Sequence, residues 1–170
     1  MKGVFFTDAE IAALVREPKR LGRSVDGILR GMKTKENREK AFEQNTIEFP
    51  RNAGVGKWFI YLRKSRENAF DFSCGFGLIP AVKTRKHFML KRYNGKSHWH
   101  ANALEKTPPF YDFHIHTATE RYQQSAYSND HYAETTGLYH DFRGAFRTLL
   151  SECHVTVPDP LTISQETLFE

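Results

Sequence analysis

The chain has 170 residues, a formal net charge of +5 and 14% aromatic residues, enough for one domain with a substantial core and too aromatic for a disordered segment. Its apolar runs fall short of a bilayer crossing and Met1-Lys2-Gly3-Val4-Phe5-Phe6 lacks a secretory h-region, so a cytoplasmic protein with no membrane partner is expected. Cys74 and Cys153 are far apart and in no CxxC spacing, which argues against a disulfide framework or a thiolate metal site.

Thr7-Asp8-Ala9-Glu10 is a capping box followed by Ile11, Leu14 and Val15 at helical spacing, and predicts a helix ending near Pro18. Ser24 is placed to cap a second short helix through Val25, Ile28 and Leu29, stopping at Gly31. Asn37 to Phe42 reads as a helix segment, Thr46 to Phe49 as a strand, and Pro50 to Gly56 as a loop. From Lys57 strand signals take over: Trp58 to Leu62, then Ala69 to Cys74 as its partner, with Gly75 and Gly77 marking a bend or bulge and Leu78 to Val82 adding a short strand. Phe110 to Thr117 alternates as a strand. The segment from Tyr127 to Tyr139 reads as a long irregular loop, and Asp141 caps a last helix with Phe142, Ala145, Phe146, Leu149 and Leu150 along one stripe. The expected fold is α+β: one domain over residues 1–158, with N-terminal helices, a mostly antiparallel sheet of about five or six strands and a C-terminal helix packed on one face. Residues 159–170 are expected to form a loosely ordered tail.

All eight histidines lie in the second half, and four form two pairs, His98-Trp99-His100 and His114-Ile115-His116. In a strand, residues two apart share a face, so each pair presents two imidazoles side by side. Asn94-Gly95 carries the signature of a type I′ hairpin turn needing positive φ. Such a hairpin sets Lys91 opposite His98 and Met89 opposite His100. It groups Phe88, Leu90, Trp99 and Ala101 on the core face and His87, Lys91, Tyr93, His98 and His100 on the other. The next strand divides likewise, with Tyr111, Phe113 and Ile115 toward the core and Asp112, His114 and His116 on the solvated side.

Residues 1–128 hold 23 Lys and Arg against 13 Asp and Glu, and no acidic residue falls between Asp71 and Glu105. A basic field of this kind attracts nucleic-acid backbones, with Lys86, Lys91, Arg92 and Lys96 as candidate contacts. His98, His100, His114 and His116 are candidate ligands for zinc or a similar divalent transition metal, with Asp112 or Glu120 in reserve. The same four histidines, with Glu120, Arg121 and Tyr122 just beyond the second pair, also supply the base, acid and cation that RNA cleavage requires without a metal. Arg121 has an equal claim to a structural ion pair at the strand end. In a third reading, Tyr93, Trp99, Tyr111 and Tyr122 hold bases by stacking without turnover.

The run Arg92-Tyr93-Asn94-Gly95-Lys96-Ser97-His98, then Asn102, Leu104-Glu105, Phe110 to His116 and Ala118 to Gln123 resembles a bacterial family known as a domain of unknown function. Tyr132 to Thr135, Tyr139 and the closing helix to Cys153 resemble it too, so the likeness covers residues about 88–153. The resemblance implies a small cytoplasmic product of accessory loci, of the kind found beside toxin–antitoxin or phage-related genes, with an antitoxin-like protein as a possible partner. It assigns no chemistry. The function expected is action on RNA or single-stranded DNA at a histidine-lined face, as a small ribonuclease, another phosphodiesterase or a toxin-like effector. The alternatives are a non-catalytic nucleic-acid- or nucleotide-binding accessory protein of a mobile-element or defence locus, and a protein-interaction module.

Overall fold

In chain order the computed structural model runs α1 (Asp8–Arg16), β1 (Lys19–Arg20), α2 (Val25–Arg30), β2 (Lys33–Glu36), β3 (Ala41–Pro50), β4 (Lys57–Ser65), β5 (Phe72–Ile79), β6 (Phe88–Asn94), β7 (His114–Thr117), α3 (Glu120–Gln123), β8 (Ala133–Thr135), α4 (Phe142–Glu152) and β9 (Val155–Thr156). It describes residues 5–36, 41–81 and 87–158. Strands β2 to β8 form one antiparallel sheet in sequence order, while β1 and β9 pair in parallel. This is the expected α+β architecture, with seven strands in the main sheet. Asn37 to Lys40, Val82 to Lys86 and the expected tail lie outside the described residues; Ala41 and Phe42, expected to end a helical segment, instead open β3.

The helices begin where their caps dictate. Thr7 and Glu10 make the reciprocal bonds of a capping box, and Ser24 and Asp141 accept from Gly27 N–H and Gly144 N–H. Their apolar stripes (Ile11 and Leu14, Ile28, then Ala145, Phe146, Leu149 and Leu150) join one core with Ile47, Phe49, Trp58, Ile60, Leu62, Cys74 and Phe76 of the sheet. Burying a side chain of this size contributes about 1.5–3 kcal/mol.

Lys19 is an exception inside that core. Only 4% exposed, its ammonium donates to the carbonyls of Leu14, Val15 and Glu17, where α1 ends, and to Cys153 O at the end of α4. The rings of Trp58 and Phe76 lie 4.7 and 4.9 Å away. Helix ends leave carbonyls without intrahelical partners, and one buried cation here binds those of two helices.

A one-residue irregularity decides which side chains face the core. The β5–β6 register shifts between Phe76 and Gly77, so that Phe76 pairs with Lys91 while Gly77 pairs with Met89, leaving Leu90 as the extra residue of a bulge. An extra residue exchanges the faces of everything beyond it. Phe88 and Leu90 are buried as expected, but Tyr93 is fully buried too, its hydroxyl 2.7 Å from Glu152 Oε2 of α4. Lys91 joins the same carboxylate at 2.8 Å. Both therefore lie on the helix side, not on the histidine side expected for them, and Arg92 takes the place on the histidine side.

The expected Asn94-Gly95 hairpin does not form. Asn94 continues β6 and pairs with His114, Tyr93 with Ile115 and Arg92 with His116; among the described glycines only Gly56 has positive φ. Gly95 instead donates its N–H to Phe72 O and runs so close to the preceding loop that a Cβ would lie 1.9 Å from Phe70 O. Close backbone approach, not turn geometry, requires glycine here. Gly95→Ala is expected to cost about 2 kcal/mol or more, as overpacking does, in a thermal or urea melt; an unchanged midpoint would show that the two backbones do not approach in this way.

Candidate metal centre and its cleft

The face of the sheet opposite the helices carries two cross-strand rows. One reads Thr46, Tyr61, Gly75, Arg92, His116, Ala133; the other reads Gln44, Arg63, Ser73, Asn94, His114, Thr135. Alternation along β7 puts His114 and His116 on this face, as the sequence pattern implied. Between β6 and β7 the chain makes a long excursion that folds back over them. His100 and Phe110 exchange backbone bonds of 2.9 and 2.8 Å, and this bridge aims the His100 ring at the sheet. The paired stretches are thus not neighbouring strands, yet their imidazoles meet.

His114 and His116 are 0% and 2% exposed, so these histidines are not on a solvated face. One ring nitrogen each from His100, His114 and His116 lies within 4.8 Å of the other two. His98 is exposed, with its ring 5.3 Å from that of His114, and His131 stands 5.1 Å from His100. Each of the three central rings is held from outside. His116 Nδ1 donates to Asp130 O at 2.9 Å and His114 Nδ1 to Asp112 O at 2.7 Å; a neutral ring bonded in this way keeps its lone pair on Nε2. His116 Nε2 is buried and has no partner among the described residues. Asn102 exchanges two 2.8 Å bonds with the Ala133 backbone, which fixes its Oδ1 as an acceptor 3.3 Å from His100 Nε2.

Burial is the main force on their protonation. It pushes His116 down to about 2, aided by Arg92 and the neighbouring imidazoles, and His114 down to about 4 against the opposing Asp112 bond. His100 and His98 are lowered by the same cause. Neutral imidazoles that converge from the sheet and from the segment over it, each anchored through its second nitrogen or a side-chain amide, are what a divalent transition ion needs. Nitrogens bound at about 2.0–2.1 Å around a tetrahedral ion lie about 3.4 Å apart, so the rings would have to draw in modestly. His100, His114 and His116 are the residues that could hold such an ion.

That cleft, about 400 Å³, is bounded by Arg63, Asp71, Ser73, Arg92, Asn94 and His98, among others. Arg92 is tied through Nε to Asp130 and Arg63 through Nη1 to Asp71. Each guanidinium is thereby held in place with further N–H donors to spare, its charge partly offset.

The remaining expected site residues sit elsewhere. Arg121 pairs with Glu105, which also accepts from the Tyr122 hydroxyl at 2.6 Å; Tyr122 is fully buried. Glu120 opens α3, its N–H bonded to Asp8. This tripeptide anchors the 104–105 turn and the N-terminal segment, matching the structural alternative weighed for Arg121, though the Tyr122 ring does pack 5.4 Å from His131. Lys96 lies over Phe70 and Phe113, and Lys86 is outside the described residues. Trp99 and Tyr111, expected in the core, are 68% and 48% exposed, with ring centroids 5.5 Å apart; the missing hairpin accounts for Trp99, and the start of β7 only at His114 leaves Tyr111 outside the expected alternation. Sequence reasoning missed Asn94, Asn102, Asp130 and His131 as site residues. Only their proximity to the paired histidines in sequence could have flagged the first two.

No protein-family model, curated protein or solved structure matches this chain. The resemblance of residues about 88–153 to a bacterial family therefore rests on the motifs alone. Among the described residues no helix is long and apolar enough to cross a membrane.

Proposed function

We propose that the protein is a metal-dependent hydrolase of phosphodiesters in RNA or single-stranded DNA, with zinc or a similar ion held by His100, His114 and His116. The observation that carries this reading is the buried, unpartnered Nε2 of His116, facing two further imidazoles whose outer nitrogens are anchored. A buried nitrogen without a partner costs stability, and a cation offers it one. Such an ion supplies Lewis acidity and a more acidic bound water. The chain's own part is to hold the three imidazoles neutral, to present Arg92 and Arg63 to a phosphate from carboxylate-fixed positions, and to offer His98 and His131 at the mouth for proton transfer. Depressed protonation makes His114 and His116 poor general acids at neutral pH, which favours the metal reading over cleavage by histidines alone. The exposed Trp99–Tyr111 pair favours a second reading, in which the same cleft binds a single strand without turnover.

Purified full-length protein, analysed for metals and assayed on single-stranded RNA with and without a chelator, tests the proposal. Near-stoichiometric zinc or another transition ion, lost in His116→Ala together with cleavage, is the expected result. Cleavage that survives both chelation and His116→Ala would defeat the metal role. Metal binding without cleavage of either RNA or single-stranded DNA would leave only the binding reading.

A further inference from the structure

A second cavity lies on the same sheet face, beyond the arginines. It measures about 260 Å³ and is lined by Thr46, Phe59, Tyr61, His87, Met89 and Asn129. The cross-strand register ties it to the histidine cleft: Tyr61, Gly75, Arg92 and His116 are consecutive members of one row. With strands about 4.8 Å apart, Tyr61 and Arg92 are separated by about 10 Å, and His116 lies one strand further. Between them Gly75 has no side chain. A Cβ there would meet the Met89 thioether at 2.8 Å, so Met89 lies across the gap, and this unbranched side chain adapts readily to what rests on it.

The cavity's chemistry is that of a planar, hydrogen-bonding ring. Phe59 is buried and packs edge-on to His87, their centroids 4.8 Å apart, and Tyr61 supplies a second half-buried ring. Several polar side-chain groups at this cavity have no partner among the described residues, and two of them suit the edge of a base. One is the Tyr61 hydroxyl. The other is the side-chain carbonyl of Asn129, whose amide is committed to Met89 O at 2.7 Å. That commitment leaves an acceptor for a ring N–H or exocyclic amine, while the hydroxyl can donate or accept. The volume suits one base and no more.

We propose that this cavity is a nucleobase subsite, holding the base of a nucleotide whose phosphate rests on Arg92 and Arg63. The inference rests on the phosphodiester reading of the cleft and adds the position and chemistry of the recognised base. The half-buried Tyr61 ring can stack on any base, and the Asn129 carbonyl selects for a donor on the base edge. The recognised unit is then a nucleotide, with its reacting phosphate toward the histidines.

Calorimetric titration of the full chain with uridine 5′-monophosphate, adenosine 5′-monophosphate and inorganic phosphate tests this, with Tyr61→Ala and the milder Tyr61→Phe beside the parent. Both mononucleotides are expected to bind at least about tenfold more tightly than phosphate. Tyr61→Ala should remove most of that advantage and Tyr61→Phe a smaller part, with phosphate affinity and metal content unchanged. Mononucleotides that bind no better than phosphate, or that are indifferent to both Tyr61 variants, would overturn the subsite. RNA cleavage by the same proteins separates the two readings. Cleavage with an unchanged KM in Tyr61→Ala removes the subsite and leaves the hydrolase. Tyr61-dependent mononucleotide binding without any cleavage keeps the subsite and removes the hydrolase.

Discussion

Lys19→Met is expected to destabilise the fold by about 3 kcal/mol or more, well beyond the typical point substitution. The methionine matches much of the lysine stem and relieves the cost of burying a charge, a cost visible in the fall of the amine to about 8. It cannot supply donors, and the carbonyls of Leu14, Val15, Glu17 and Cys153 remain. Removing one side of a buried charged network leaves the other side dehydrated and unpaired, and hydrogen bonds to charged groups contribute about 1.5–3 kcal/mol each before that penalty. Arginine is no substitute, because its planar fork does not converge on carbonyls from two helix ends as an ammonium does. Urea denaturation compares the variants directly; a Lys19→Met midpoint within error of the parent would mean that the four carbonyls find other donors.

The second large effect is acid sensitivity of the metal-free protein. His114 and His116 titrate near 6.5 when unfolded but are held down to about 4 and about 2 in the fold. Below 6.5 the unfolded chain takes up protons that the native state refuses, so their contribution is complete above that pH and is lost as pH falls toward the folded values. Two such groups give a slope of up to about 3 kcal/mol per pH unit and a loss of several kcal/mol by about pH 4.5. That is a large share of a typical domain's stability. Melts of chelator-treated protein between pH 7.5 and 4.5 should fall steeply below 6.5, and a variant with both histidines changed to Asn should show a shallower fall. A parent curve flat down to pH 5 would mean that these rings can be protonated inside the fold.

Local signals were legible where one segment settles its own structure. Thr7, Ser24 and Asp141 announced their helices because a cap is read within four residues. The alternation from Phe113 to His116 separated core from site, whereas the bulge expected at Gly75 and Gly77 falls on the partner strand, with Leu90 as its extra residue. Partner choice was not legible. Asn94-Gly95 has the composition of a tight turn, but the sheet offers β7 as a partner for β6, and pairing across a long connection outweighs a local turn preference. The extra residue Leu90 lies in β6, whose own sequence carries no bulge signal, and it moves Tyr93 to the core side and Arg92 to the cleft. The paired histidines were found for the right reason, their shared direction, although the face they share is roofed by their own connecting loop. Asp130 and Asn102 act through a backbone carbonyl and a side-chain amide bonded to backbone, and such roles leave no mark in a sequence.

The ammonium at Lys19 also ties together segments that are synthesised far apart in time. Its fourth carbonyl belongs to a residue 134 positions later, and β1 finds its partner only at Val155–Thr156. A nascent chain that has not yet released Cys153 from the ribosome therefore carries a charged amine destined for the core with its ligand set unfinished. Closing so long a loop costs more entropy than a local contact does, so the α1 end is expected to complete its bonds after the local strand pairings, and refolding kinetics of Lys19→Met beside the parent check this.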